Sequence, residues 1–390
     1  MKFIFQLPKK KDAEVSFILN LFSYLKTQVL RLDFIQIISS ALLITMGLIF
    51  IYSAGQQVGG SMTKSWDKQI LWICIGLVFW IILCSINYRT LGFLSPIIYL
   101  LSLGLLILVF FFGIKIYGAR RWLNFGGINI QPSEFAKIAT LLLAARIASL
   151  RTFKINKITH LIFLSAVVLI PFLMVLKQPD LGSSLVFIFI LAAVAFTAKL
   201  SWKWIIVILI AGAVLIPSVY PFLKGYQKER ILVFFNPDRD PLNQGWTSRQ
   251  TLLSVGSGGF SGKGILNGTQ NTLGFLPRSV SNSDLIFSVI AEESGFIGAT
   301  TLIILYLILI FSMLRTSYLA RDKFGYILAA GIAALFFEHL YVNIAMNIRL
   351  MPITGLPLPL VSYGGSFMIT SLICLGILQS IYIRRRKKDE

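Results

Sequence analysis

The sequence predicts an all-α polytopic membrane protein, with about ten transmembrane helices and a long extracytoplasmic loop between helices 7 and 8. Three observations predict it. Of 390 residues, 56% are hydrophobic, and the mean hydropathy is +0.79. Charged residues make up 13%, about half the ~25% usual in a soluble domain. Apolar runs reach about 20 residues again and again, the length that crosses a ~30 Å hydrocarbon core. Barrel strands alternate and read weakly, so spans of this hydropathy are helical.

The spans read in order as 34–54, 69–87, 93–113, 132–150, 160–177, 181–199, 204–223, 284–312, 324–346 and 358–383. Only Lys199-Leu-Ser-Trp-Lys203 separates the sixth from the seventh. Three regions follow: a cytoplasmic N-terminus at 1–33, a single membrane domain at 34–383 with the long loop at 224–283, and a basic cytoplasmic tail at 384–390. The start is polar by Lys9, so no cleavable signal peptide is expected. Val15, Ile18, Leu19, Phe22, Leu25 and Val29 give residues 14–30 the spacing of a surface amphipathic helix.

The net charge is +20, yet its distribution excludes a nucleic-acid reading. With both ends cytoplasmic, the inner segments carry 21 of the 36 cations, from Lys2 through Lys323 to Arg384–Lys388. The short outer loops carry seven, Lys64, Lys68, Lys115, Arg120, Arg121, Lys177 and Arg349. The positive-inside rule therefore places both termini in the cytoplasm and the long loop outside. The basic tail anchors the last helix at anionic lipid. Cys74, Cys84 and Cys374 sit within spans and make no disulfide framework, and His160 and His339 are too few for a zinc site.

Charge within a membrane costs on the order of 2.5–3.5 kcal/mol per residue, so the placement of the 16 acids is informative. Glu134 and Lys137 are three apart and share a helix face. They read either as a pair lining a polar cavity or as a self-neutralising pair at the interface. Asp180, in Lys177-Gln-Pro-Asp-Leu-Gly182, is either a functional acid or the cap of span six near Ser183. Asp284 at the start of span eight is either a catalytic carboxylate or half of a capping box with Ser281. Capping and the helix dipole would hold its pKa down. Glu292 and Glu293 lie two turns deeper, one facing the bundle and one the interface. Three prolines and a glycine break the chain between Arg349 and Pro359, before Ser362-Tyr-Gly-Gly-Ser366, which predicts a re-entrant or capping loop.

The long loop is too apolar to be disordered. Trp246, Leu252, Leu253 and Val255 have helical spacing, with Arg249 and Gln250 among them. Gly256-Ser-Gly-Gly259 and Gly262-Lys-Gly264 could bring main-chain N–H groups to an anion. With Arg249, Lys263 and Arg278 nearby, that anion would be a diphosphate.

At these residues the chain resembles the SEDS family of bacterial cell-wall proteins, RodA-like and FtsW-like, over roughly 34–383. The pieces are Gly118-Ala-Arg-Arg-Trp-Leu123 with Ile130-Gln-Pro-Ser-Glu-Phe-Ala-Lys137, Gln178-Pro-Asp-Leu-Gly182, Asn236-Pro-Asp-Arg-Asp-Pro241, Gly256-Ser-Gly-Gly259 with Gly268-Thr-Gln270, Asp284-Leu-Ile-Phe-Ser-Val-Ile-Ala-Glu-Glu293, and Pro357-Leu-Pro-Leu-Val-Ser-Tyr-Gly-Gly-Ser366. Gly268-Thr-Gln270 and Asn343-Ile-Ala-Met346 favour the RodA branch. Before the aspartate the chain departs from the family's Leu-Pro-Glu-x-His-Thr-Asp pattern: Leu276-Pro-Arg278 is followed by Ser279-Val-Ser-Asn-Ser283, without Glu or His. Near Arg349 it reads Arg349-Leu-Met-Pro352, where the family commonly has Gly-Leu-Leu-Pro.

The resemblance implies a peptidoglycan glycosyltransferase in the bacterial cytoplasmic membrane that polymerises lipid II on the outer face, beside a class B penicillin-binding protein. It assigns Asp284 as the essential aspartate and general base, with undecaprenyl diphosphate as the leaving group. Glu134, Lys137 and Asp180 match the family's charged pair and its Pro-Asp turn. The substrate-binding candidates are those three with Arg120, Arg121, Trp246, Arg249, Gln250, Lys263, Arg278 and Ser362. A divalent cation, Mg2+ or Mn2+, could share the work of the cations, though no ligand cluster identifies one. The rival readings are a lipid II flippase or secondary transporter and a non-catalytic scaffold. No inverted repeat supports a carrier, and a scaffold would not require Asp284.

Overall fold

The computed structural model describes residues 31–56, 65–116, 119–207, 210 and 225–386. It begins with helices α1 (Phe34–Ala54), α2 (Ser65–Ser85) and α3 (Tyr88–Phe112). Three strands follow, β1 (Ile114–Ile116), β2 (Ala119–Phe125) and β3 (Ile128–Ile130), then α4 (Pro132–Ser149), α5 (Ile158–Lys177) and α6 (Leu181–Thr197). The long loop holds α7 (Gly225–Phe235), a 3-10 turn at Pro237–Arg239, α8 (Gln244–Ser257), α9 (Thr269–Thr272) and α10 (Arg278–Ser281). The chain closes with α11 (Ile286–Tyr318), α12 (Lys323–Asn347) and α13 (Gly365–Ile383).

Nine of these helices fall on nine of the ten expected spans, and seven are long and apolar enough to cross a membrane by length and composition. Of the other two, α4 carries Glu134, Lys137 and Arg146, and α6 has 17 residues. The expected seventh span (204–223) lies largely outside the described residues, as do the amphipathic segment 14–30 and Lys387–Lys388 of the tail.

Short polar side chains fix where helices begin. The Asp33 carboxylate accepts from Ile35 N at 3.1 Å and Asp322 from Gly325 N at 2.8 Å, each satisfying an otherwise orphaned N–H. Asp33 also ties α1 to α13, because its main chain exchanges bonds with the Gln379 amide at 3.0 and 3.1 Å. The core runs along α4 and α13, which are buried almost all round. α4 packs on α3, α5, α6 and α12, while α13 packs on α2, and α11 lies between α1 and α12.

A small antiparallel sheet, β1-β2-β3, accompanies the helices and was not expected from the sequence. Its signal was the Gly126-Gly127 pair after Ala119–Phe125, since φ of +59° and +89° makes the primed turn that right-twisted hairpins favour. The eighth span begins at Ile286 rather than 284 and breaks at Gly295, whose φ is 64° and ψ −159°. The long loop is largely helical, and α8 lies where helical spacing placed it.

Candidate active site

Asp284 sits in the turn between α10 and α11, where the last loop residues meet the broken segment after α12. It does not cap α11: the cap position is Leu285, with no side-chain bond. Its main chain is held instead. Nδ2 of Asn343 donates to the Asp284 carbonyl at 2.9 Å, and Nδ2 of Asn347, one turn on, donates to the same oxygen at 3.2 Å. Asn343 Nδ2 also bonds the Leu356 carbonyl at 2.7 Å. The Ser362 hydroxyl donates to the Ser283 carbonyl at 2.6 Å and accepts from Leu358 N at 2.8 Å. Tyr363 N bonds the Asn282 carbonyl at 2.9 Å. The proline-broken segment thus packs directly against the end of the long loop. Ser362, a substrate-binding candidate, is buried with its hydroxyl engaged by main chain, so it supports the loop.

With the backbone fixed, the carboxylate lies within electrostatic reach of Asp180, Arg121 and Arg230. Gly355, at φ +77°, passes close enough that a Cβ there would lie 3.2 Å from Asp284 Oδ2. Burial, the largest influence, raises the Asp284 pKa from 3.8 to about 6. A hydrogen bond from Ser283 opposes the rise, repulsion from Asp180 adds to it, and attraction from Arg121 and Arg230 opposes it. The expected helix-cap effect is absent because the side chain is not at the cap.

Of the readings given to Asp180, the cap is the one seen in the structure. Its Oδ1 caps α6 at Ser183 N, 3.1 Å away. Its Oδ2 lies 3.5 Å from Nη1 of Arg121 and 3.4 Å from Nε2 of Gln131. Arg121 also donates to the Pro179 carbonyl. The alternation of β2 sends neighbouring side chains to opposite faces, so Arg121 joins Asp180 while Arg120 is exposed.

Glu134 and Lys137 form a buried ion pair at 2.7 Å. Lys137 Nζ also lies 3.5 Å from His339 Nε2 and 5.7 Å above the Phe367 ring. With His339 they line a cavity of about 30 Å³ beside Pro359 and Cys374. This is room for water, since one molecule needs ~10–15 Å³. The pair is thus buried beside a small cavity. Glu338 is 2% exposed and both of its carboxylate oxygens lack a hydrogen-bond partner.

Two candidate cations of the loop, Lys263 and Arg249, are engaged elsewhere. Lys263 pairs with Glu292 at 2.6 Å, and Glu292 Oε1 also accepts from Thr269 at 3.1 Å and Gln270 N at 2.9 Å. Glu293 accepts from Ser53 at 2.6 Å and Leu266 N at 3.3 Å. Both glutamates are buried, correcting the interfacial assignment of one, because the loop folds over them. Lys263 N and Gly264 N bond the Glu292 and Glu293 carbonyls at 3.0 and 2.9 Å, so these groups of the glycine cluster are turned onto α11 and away from any anion. Arg249 pairs with exposed Asp238, Gln250 is buried, and half-exposed Trp246 donates to the Phe275 carbonyl at 3.1 Å. Arg278 opens α10, and its side chain lies outside the described residues.

Among the described residues no three His, Cys, Asp or Glu side chains converge as a metal-ligand set. Sequence reading missed Arg230, Gln131, Asn347 and the place of His339 beside Lys137 and Glu338. Asn343 and Asn347 carried a signal, being polar residues one turn apart on an apolar helix.

The sequence profile of the FTSW_RODA_SPOVE family, described as cell cycle protein, matches residues 34–387. The chain is 37% identical over 347 residues to the peptidoglycan glycosyltransferase MrdB of Escherichia coli, covering 89% of this chain and 92% of that protein. It is 29% identical over 426 residues to the peptidoglycan glycosyltransferase RodA of Treponema pallidum, covering 90% and 98%. Its fold is similar to a chain from a peptidoglycan synthase complex that coordinates polymerisation and crosslinking, with TM-score 0.79, 30% identity, and coverage of 92% and 99%.

Proposed function

The chain belongs to the FTSW_RODA_SPOVE family of cell cycle proteins, and on that premise we infer that it is a peptidoglycan glycosyltransferase of the RodA/MrdB branch. The observation that carries the mechanism is the setting of Asp284. Its backbone is clamped by Asn343 and Asn347, its pKa is raised to about 6, and Arg121, Arg230 and Asp180 stand near it. A carboxylate with that pKa is ionised at neutral pH and more basic than an ordinary aspartate, which suits a general base.

The substrate is lipid II. Asp284 takes the proton from the GlcNAc 4-hydroxyl of the acceptor. That oxygen bonds to the anomeric carbon of the donor MurNAc with inversion, and the bond to oxygen breaks with its electron pair leaving on undecaprenyl diphosphate. A positioned base contributes roughly 10²–10⁴ in rate. Positive charge near the departing diphosphate stabilises it. Arg121 and Arg230 are the cations closest to this role because both act on Asp284. Lys137 is held deeper in its pair with Glu134, which makes it a support for the cavity.

The similarity to a chain of a polymerisation and crosslinking complex supports a class B penicillin-binding protein as partner. The excess of cations in the segments between spans supports an inner-membrane protein with both termini cytoplasmic. The long loop and Asp284 then face the outer leaflet. The test is to incubate purified protein with lipid II, with and without that transpeptidase. Glycan strands are expected. Translocation of lipid II across vesicles without strands would instead establish a carrier.

A further inference from the structure

The break in α11 is closed by the long loop. At Gly295 the helix loses its regular hydrogen bonds, and residues 259–264 replace them. Phe296 N and Ile297 N donate to the carbonyls of Gly259 and Phe260 at 2.9 and 3.2 Å. On the other side of the break the Glu292 and Glu293 carbonyls accept from Lys263 N and Gly264 N at 3.0 and 2.9 Å. The two backbones lie so close that a Cβ on Gly262 would sit 2.2 Å from the Glu293 carbonyl oxygen, and one on Gly295 2.3 Å from Gly262 N.

This junction carries an apolar knob. The Phe260 ring stacks on Phe296 with centroids 6.0 Å apart, and the two are 71% and 63% exposed. Ile265, Leu266 and Ile297 beside them are also exposed, at 52%, 42% and 51%. Phe296 and Ile297 begin the part of α11 that spans the membrane: residues 296–318 alone are roughly 35 Å long at ~1.5 Å per residue, enough for a ~30 Å hydrocarbon core. Phe260, stacked on Phe296, shares its depth. Irregular backbone is tolerated at that depth only when its polar groups are paired. The four bonds across the break supply such pairing.

We propose that residues 260–266 of the long loop insert their apolar side chains into the bilayer at its outer boundary, anchoring the loop to lipid beside the break in α11. The occupant is lipid because the knob is continuous with the exposed face of a membrane-spanning helix. The anchor sets the height of the nine-residue stretch from Ile286 to Ser294, and so of Asp284, above the headgroup plane. It rests on the membrane reading of α11 and is independent of the reaction assigned to Asp284.

The test uses the full chain with Cys74, Cys84 and Cys374 replaced by serine or alanine, in vesicles of phosphatidylethanolamine and phosphatidylglycerol. A nitroxide is attached at Phe260→Cys and, separately, at Ile265→Cys. Collision with dissolved oxygen, which partitions into lipid, is compared with collision with a water-soluble nickel chelate. Phe311→Cys on the lipid-facing side of α11 and Asp238→Cys on the exposed loop are the references. The expected result is oxygen collision and nickel exclusion at 260 and 265, as at 311. Nickel collision equal to that at 238 would place the loop in water and overturn the proposal. Shielding from both reagents would place a protein surface over the knob and overturn it equally.

Discussion

Asn343 holds Asp284 by its main chain and not by its carboxylate: Nδ2 donates to the Asp284 carbonyl at 2.9 Å while also bonding the Leu356 carbonyl at 2.7 Å. One buried amide thus joins α12, the start of α11 and the proline-broken segment. Asn343→Ala would strip a bond from two carbonyls: that of Leu356 costs about 1–3 kcal/mol if left unsatisfied, while that of Asp284 keeps only the longer bond from Asn347. A fall of about tenfold or more in polymerisation rate is expected, with lipid II binding little changed. Single-turnover kinetics beside a binding isotherm check it.

The Asp284 pKa gives the reaction a pH profile. The base works ionised, so the rate should rise with pH through about 6 and level off above about 7. The same shift has a stability consequence of opposite sense. The folded pKa is raised above the unfolded value of 3.8, so ionisation opposes folding as pH rises through 4 to 6, and the cost is fully present above the folded pKa. Asp284→Asn should therefore melt higher than wild type at pH 8 and lose that advantage at pH 4. Thermal unfolding at the two pH values reads the difference directly.

Arg120 and Arg121 are adjacent in sequence and unequal in the fold. Arg121 lies 3.5 Å from Asp180 and reaches the Pro179 carbonyl, whereas Arg120 is exposed. Arg121→Ala should lower polymerisation by about tenfold or more, on the scale of losing one electrostatic contact to the leaving group. Arg120→Ala should change it by less than about twofold. Equal effects from the two variants would remove Arg121 from the site.

Lys137 balances two buried carboxylates, Glu134 at 2.7 Å and Glu338 nearby through His339. Breaking such a pair from one side costs about 3–5 kcal/mol because a charge remains buried alone. Lys137→Met should therefore lower the melting temperature sharply. The double variant Glu134→Gln with Lys137→Met should regain much of it. A double-mutant cycle in detergent or nanodiscs separates the pair from its parts.

Much of this was legible in the sequence, for identifiable reasons. Apolar runs located nine helices because burial in lipid demands length and hydropathy and little else. Asp284, Asp180 and the Glu134–Lys137 pair stood out because charge is costly near a membrane. The sheet was overlooked because three short strands carry little periodicity, and only the Gly126-Gly127 turn marked it. Glycines 256–264 suggested anion binding, but their local pattern does not reveal that Gly258 and Gly262 lie against α11. The roles of Arg230 and Asn347 beside Asp284, and of His339 beside Lys137, were not recognised because each pair is more than 50 residues apart in sequence, in elements whose packing sequence spacing does not encode.

The most direct measurement is polymerisation of lipid II by purified protein beside Asp284→Asn, each with its transpeptidase bound and its fold verified by thermal unfolding. Glycan strands from the wild type and none from the variant are the predicted result. Strands from Asp284→Asn at the wild-type rate would contradict the assignment of the base.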